Sequence, residues 1–277
     1  MIKPRRSRPR WIRISPPLAG QNRSMPKKPD YGIDAPGLAT GFLCGGIGAF
    51  AVALVVGRFG SGQIWGLAAT SLFTVLGIYL SGMGCLMVVW SKRIKLKMRE
   101  TLLDHIAWRG DERVLDVGCG RGLMMVGAAR RLKSGTATGI DIWSAKDQSA
   151  NGPEGALDNA RLEGVSDRVQ VETGDMRALP FADTSFDVVM SHWVVHNLAS
   201  EADRTLALGE MVRVLRFGGH LILADIEHRE AYMAVLQTLG LIDCRIEVNP
   251  LLDRVLGAVS FGSFRPATIF AKKMRLH

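Results

Sequence analysis

Val114-Leu115-Asp116-Val117-Gly118-Cys119-Gly120-Arg121-Gly122 decides the fold. Apolar residues around one acid read as a short buried strand, after which glycines fall at every second position. Gly118, Gly120 and Gly122 put no Cβ in the way of a ligand, so the backbone of the turn can approach one closely. A dinucleotide fingerprint would need glycine at 118, 120 and 123, but position 123 is Leu, and no Walker Lys-Ser/Thr follows. The acid ahead of the first glycine would repel a pyrophosphate and suits a cationic ligand instead.

Downstream, apolar strands alternate with amphipathic helices. Strands are expected at 113–117, 136–142, 168–172, 186–191, 220–225, 244–248 and 267–271, with helices beginning near Gly122, Glu154, Ser200 and Arg229. Such alternation implies an α/β fold, an open, doubly wound and mostly parallel seven-stranded sheet with its ligand crevice at the carboxyl ends of the first strands. Asp141 ends the second strand, where a carboxylate can accept from two ribose hydroxyls. Ile142 and Trp143 follow and offer apolar surface to an adenine ring. After the third strand, Gly174-Asp175-Met176 supplies a carboxylate able to accept from an adenine amino group.

Upstream the composition is different. No charged side chain occurs between Gly37 and Gly57 or between Ile64 and Trp90, and each run is long enough, as a helix, to cross a bilayer. The short polar stretch between them makes the two spans an antiparallel hairpin, a transmembrane segment over 37–90. Mean hydropathy of +0.13 agrees with this. The net charge of +9 is uneven: nine Lys/Arg precede the hairpin, five fall in residues 91–100, and the chain beyond has twenty basic against twenty-three acidic side chains. Basic flanks on both sides of a hairpin favour anionic headgroups over a nucleic acid partner. They also place both termini and the domain from 91 to 277 in the cytoplasm, with Arg58 as the exception. Trp65 and Trp90 bracket the second span at the interfaces. Gly37, Gly41 and Gly45 line one helix face that a second helix could approach, either the other span or a neighbouring protomer in a helix-mediated homo-oligomer.

Residues 1–36 read as a basic, disordered segment. Its first part resembles a transit peptide in composition, but Pro4, Pro9, Pro16 and Pro17 oppose the amphipathic helix such peptides form, and Met25 is an alternative start. The four cysteines are scattered, with no zinc-ligand spacing and no metal site evident.

Residues 101–277 resemble the class I S-adenosylmethionine-dependent methyltransferases, particularly the UbiE-like branch. The motifs are LDVGCGRG (115–122), GIDIW (139–143), GDMRALPFADTSFDVVMS (174–191) and EMVRVLRFGGHLILADI (210–226). The resemblance implies S-adenosylmethionine as cofactor, with Asp116, Gly118 and Gly120 lining its methionine part. It further implies Asp141 on the ribose and Trp143, Asp175 and Met176 at the adenine; Cys119, Gly122, Ile142 and Ser191 are expected among the cofactor-binding residues as well. It also implies the strand order 3-2-1-4-5-7-6 with the last strand antiparallel.

Methyl transfer is an in-line displacement on an activated sulfonium, so positioning carries much of the catalysis, and a base is needed only where the acceptor must lose a proton. The stretch after the fourth strand, Ser191-His192-Trp193-Val194-Val195-His196-Asn197, supplies two candidate bases. His192 ranks first because it is nearer the strand end, and His196 second. Glu227, His228 and Tyr232 could reach the mouth of the site. The expected activity is methylation of a small or lipophilic acceptor by a membrane-tethered enzyme, with an inactive cofactor-binding or scaffold protein as the alternative. A nicotinamide-dependent oxidoreductase fits less well, given Leu123 and Asp116.

Overall fold

The structure, a computed structural model, describes residues 28–60, 62–144, 148–149 and 151–274. The chain divides into two units. One holds residues up to Asp30, Arg99–Trp143 and Gly152–His277; the other holds Tyr31–Met98 and Ser144–Asn151. The expectations about a transit peptide, the choice of start and the first twenty-seven residues lie outside the described residues.

The first unit is the doubly wound sheet. Its strands are β1 (Arg113–Val117), β2 (Thr136–Asp141), β3 (Val169–Thr173), β4 (Phe186–His192), β5 (Leu215–Asp225), β6 (Leu241–Glu247) and β7 (Ala267–Lys273). They run in the order β3-β2-β1-β4-β5-β7-β6. Pairing is parallel from β3 to β5 and antiparallel on both sides of β7, as the resemblance implies. In the sheet β2 lies on one side of β1 and β4 on the other, the chain returning from β3 to β4, so the switch point lies at the carboxyl ends of β1 and β4. Leu115, Val117, Val189, Leu221 and Leu223 of the sheet pack with Leu208, Met211 and Leu236 in one core. Burying each such side chain is worth about 1.5–3 kcal/mol.

The helices of this unit are α4 (Leu123–Ala129), α5 (Pro153–Leu162), α6 (Glu201–Val214), α7 (Arg229–Thr238) and α8 (Pro250–Val259). Ser200 caps α6, its hydroxyl accepting the Asp203 amide at 3.0 Å. β5 starts earlier than expected, because Leu215 pairs with Phe186 before an irregularity at Phe186/Val188. Gly219 sits there against the Asp187 carbonyl, where a Cβ would lie 2.7 Å from that oxygen. β6 also begins earlier, at Leu241, with Asp243 at φ 53° in an irregularity that breaks the strand alternation. α8 was not anticipated, although Asn249 caps it and Pro250 opens it, a combination that starts helices. It carries Asp253, which pairs with Arg229 at 3.0 Å and Arg265 at 2.7 Å.

The second unit contains α1 (Pro36–Phe59), α2 (Ile64–Val89), a π-helical turn at Trp90–Ile94 and the start of α3 (Lys95–Leu103). Both long helices are apolar and long enough to cross a membrane, by length and composition. They pack antiparallel: Gly84 lies against Leu43, Gly77 against Phe50, and Gly57 against Thr70. The second helix packs on a different face from that of Gly37 and Gly41. A Cβ on Gly37 or Gly41 would meet nothing within 4 Å, and one on Gly45 would only touch Leu80, whereas Ala39, Gly46, Ala49 and Ala53 are the buried positions. Trp90, expected at an interface, is 6% exposed. Leu54, Phe59, Ile64, Leu67, Leu72 and Val75 point outward and are exposed. A helix in a soluble core would hide such side chains.

Part of the segment expected to be disordered is ordered as well. Tyr31 is 4% exposed, and the buried Lys95 ammonium donates to the carbonyls of Tyr31 and Gly32 and to the Asp34 carboxylate.

Candidate functional site

The turn after β1 is held from below by Asp116. This residue is 1% exposed, and its Oδ2 accepts the Met125 amide at 2.8 Å, tying the strand end to α4 across the glycines. Burial, reinforced by the charge of Asp141, pushes its carboxyl up to about 7, against the hydrogen bond from Met125. Asp116 thus braces the turn through Oδ2.

Gly118 and Cys119 donate to the carbonyl of Ile140 at 2.8 and 3.2 Å, which sets the turn against β2. Gly118, Gly120 and Gly122 all have positive φ, at 74°, 49° and 81°. At Gly118 a Cβ would stand 2.5 Å from Val194, so glycine is required on both conformational and steric grounds. Cys119 is buried, and burial pushes its thiol far above the ordinary value, so it acts as a packing residue.

Asp141 is the hub of the cofactor side. Its Oδ2 accepts the Gly120 amide at 2.8 Å and its Oδ1 the Trp143 amide at 2.6 Å. Each carboxylate oxygen has two acceptor positions, so a ribose diol can be met at the same group that fixes the turn. Trp143 has φ 61°, and its indole donates to Thr173 Oγ1 at 2.8 Å; Ile142 is 63% exposed beside it. These two apolar side chains next to a backbone cradle fit an adenosine.

Three further expected contacts have partners within the protein. Arg177 binds both oxygens of Asp175, the shortest contact being 2.6 Å, and holds its carboxyl below the usual range. Met176 is half-buried and packs on the core. Ser191 is 1% exposed and donates to the Val117 carbonyl at 3.0 Å, joining β4 to β1.

On the acceptor side, the two histidines have different partners. His192 ends β4 and stacks on Trp193, rings 5.1 Å apart. His196 lies in a short turn (Val195–Asn197), and its Nδ1 meets Asp225 Oδ1 at 2.5 Å while its amide donates to Oδ2 at 3.0 Å. Asp225, 4% exposed at the end of β5, also accepts the Ile226 amide at 2.8 Å. A buried carboxylate on Nδ1 selects the tautomer whose Nε2 carries the lone pair. Sequence reading missed Asp225, although its place at a strand end three strands from β2 was a usable signal. Tyr232, a candidate for the mouth of the site, is 2% exposed, and burial with the Asp225 charge pushes its hydroxyl up. Glu227 and His228 remain accessible and lie 3.5 Å from each other. Phe264, on the loop after α8, packs edge-on against Trp193 at 5.4 Å and closes this wall.

Residues 115–223 match the family model described as a methyltransferase domain. The chain is 38% identical over 130 residues to methyltransferase GfsG of Streptomyces halstedii, covering 47% of this chain and 43% of that one. It is 31% identical over 137 residues to the ubiquinone/menaquinone biosynthesis C-methyltransferase UbiE of Roseobacter denitrificans, covering 50% and 51%. The chain thus spans about half the length of these curated relatives or less. In fold it is similar to geranyl diphosphate C-methyltransferase from Streptomyces coelicolor, solved with Mg2+, geranyl diphosphate and S-adenosyl-L-homocysteine. That likeness has a TM-score of 0.53 and 19% identity, over 68% of this chain and 83% of that one. With the glycine turn, Asp141 and the strand order all in place, the chain carries a methyltransferase domain whose cofactor is S-adenosylmethionine.

Proposed function

We propose that this protein is a membrane-tethered methyltransferase acting on a small or lipophilic acceptor, with His196 as general base. The observation that carries the catalytic reading is the His196–Asp225 pair, set at the strand ends that continue the wall begun by Gly118 and Asp141. When bound, S-adenosylmethionine supplies a methyl group on a sulfonium leaving group. The residues of the chain do the rest. Asp141, Gly118 and Gly120 orient the adenosine and methionine ends. Trp193 and Phe264 exclude water from the acceptor side. His196 Nε2 takes the proton an acceptor hydroxyl, amine or activated carbon loses as the new bond to carbon forms. Asp225 steadies the imidazolium that results.

The hairpin of α1 and α2 supports tethering, because its outward side chains are apolar along its length. By the distribution of basic flanks it is a two-pass anchor with both ends and the catalytic domain in the cytoplasm. A relative named for quinone biosynthesis and a fold neighbour holding a prenyl diphosphate favour a prenylated or quinone-like acceptor. The test is transfer of radiolabelled methyl by the full chain, reconstituted in lipid nanodiscs, to a panel of prenylated phenols and quinols. Label in an organic-extractable product supports the reading. Cofactor binding without transfer to any acceptor favours the scaffold alternative.

A further inference from the structure

Asn159 lies on α5, 1% exposed, and its side chain is spent on main-chain atoms of a segment 129 residues away. Its Oδ1 accepts the Asp30 amide at 2.9 Å, and its Nδ2 donates to the Asp30 carbonyl at 3.0 Å and the Arg121 carbonyl at 2.9 Å. Arg121 answers with its own Nε on the Asp30 carbonyl at 2.6 Å. One buried amide thus staples Asp30 to the glycine turn, next to the Gly120 amide that Asp141 holds. A buried carboxamide is costly unless its donors and acceptor are used, and here all three contacts are to backbone. The staple therefore requires that the segment be present and seated, whatever side chain it carries.

The next residues are seated too, within the second unit. Asp34 and Gln148 form an antiparallel bridge. Gln148 Nε2 donates to the Tyr31 carbonyl at 3.0 Å, and Ile33 exchanges hydrogen bonds with Ser149 at 2.9 and 3.1 Å.

We propose that the strap at Asp30, stapled through its backbone, is a working part of the cofactor site, with Asn159 as the positioning residue. The seated strap holds the glycine turn in the arrangement that takes S-adenosylmethionine. This rests on the cofactor assignment above.

The test uses the full chain in nanodiscs with S-adenosylhomocysteine as probe, read by calorimetry and by amide hydrogen exchange over residues 29–34. Asn159→Ala and Asp30→Pro, which lose the staple, are expected to weaken binding about tenfold, the effect of one or two lost hydrogen bonds. Asp30→Ala, which keeps the backbone contacts, stays within about twofold of wild type. In the wild type the ligand slows exchange over 29–34, and this protection disappears in Asn159→Ala. A merely structural asparagine would lower the melting temperature without that loss of ligand-dependent protection. The proposal is overturned if both staple variants bind as wild type, or if the ligand leaves exchange over 29–34 unchanged. A wild type that binds no S-adenosylhomocysteine overturns the cofactor assignment first, and the strap with it.

Discussion

His196 Nδ1 lies 2.5 Å from Asp225 Oδ1, and the same carboxylate takes the His196 amide, so ring and backbone are fixed by one residue on a neighbouring strand. Asp225→Asn should leave cofactor affinity within about twofold of wild type while lowering kcat by roughly 10²–10⁴, because an amide selects the wrong imidazole tautomer. His196→Gln should fall in the same range, and the double variant should be no worse than the worse single one. His192→Gln should cost about tenfold or less. Single-turnover methyl transfer with any working acceptor checks all four. Equal losses for His192 and His196 would contradict the assignment.

Gly118→Ala should nearly abolish cofactor binding. The new Cβ would meet Val194 at 2.5 Å in a residue at φ 74°, and relief of that clash must move the turn or the His196 loop. A stability loss of about 1–3 kcal/mol is expected alongside. Thermal unfolding with and without S-adenosylhomocysteine checks it: the variant should show a lowered midpoint and no ligand-induced rise.

Asp116 makes a prediction about pH. Its carboxyl is raised from the ordinary 3.8 to about 7 by burial, so the native state holds this proton where the unfolded chain releases it. The stabilisation is present below about pH 4 and is lost as pH rises toward 7, at up to about 1.4 kcal/mol per pH unit. Asp116→Asn keeps an acceptor for Met125 and cannot ionise. Its melting temperature, in the absence of cofactor, should gain on wild type from pH 5 to 7 and keep a constant lead above. A difference that does not change with pH would contradict the account.

The sheet was legible because buried parallel strands leave continuous apolar runs, and the turn because glycines at 118, 120 and 122 have few other uses. Ends of elements were less legible. β5 begins at Leu215 through an irregular pairing at Gly219, which a simple alternation cannot reveal. Among site residues, Asp141 was readable from its strand-end position; Asp225 also ends a strand, but its pairing with His196 emerges only once β4 and β5 lie side by side. Ser191 and Asp116 stand in motif positions that suggest ligand contact, and the sequence did not show that both side chains also bond neighbouring main-chain atoms. The Gly37, Gly41 and Gly45 spacing likewise named a helix face without saying which face packs.

The hairpin predicts behaviour in cells. The full chain should sediment with membranes and resist extraction at alkaline pH, and a cysteine-reactive, membrane-impermeant label applied from outside should miss a site introduced at Ser263→Cys. Release into the soluble fraction by alkaline carbonate would contradict membrane spanning and leave the methyltransferase assignment intact.

The most direct test of the central claim is calorimetric titration of the full chain, in detergent micelles, with S-adenosylmethionine, S-adenosylhomocysteine and NADH, beside an Asp141→Ala variant. The account predicts saturable binding of the first two, none of NADH, and affinity weakened about a hundredfold in the variant, where the ribose acceptor and the anchor of Gly120 are both gone. A folded wild type that binds neither sulfur ligand, or a variant that binds them as tightly as wild type, would contradict it.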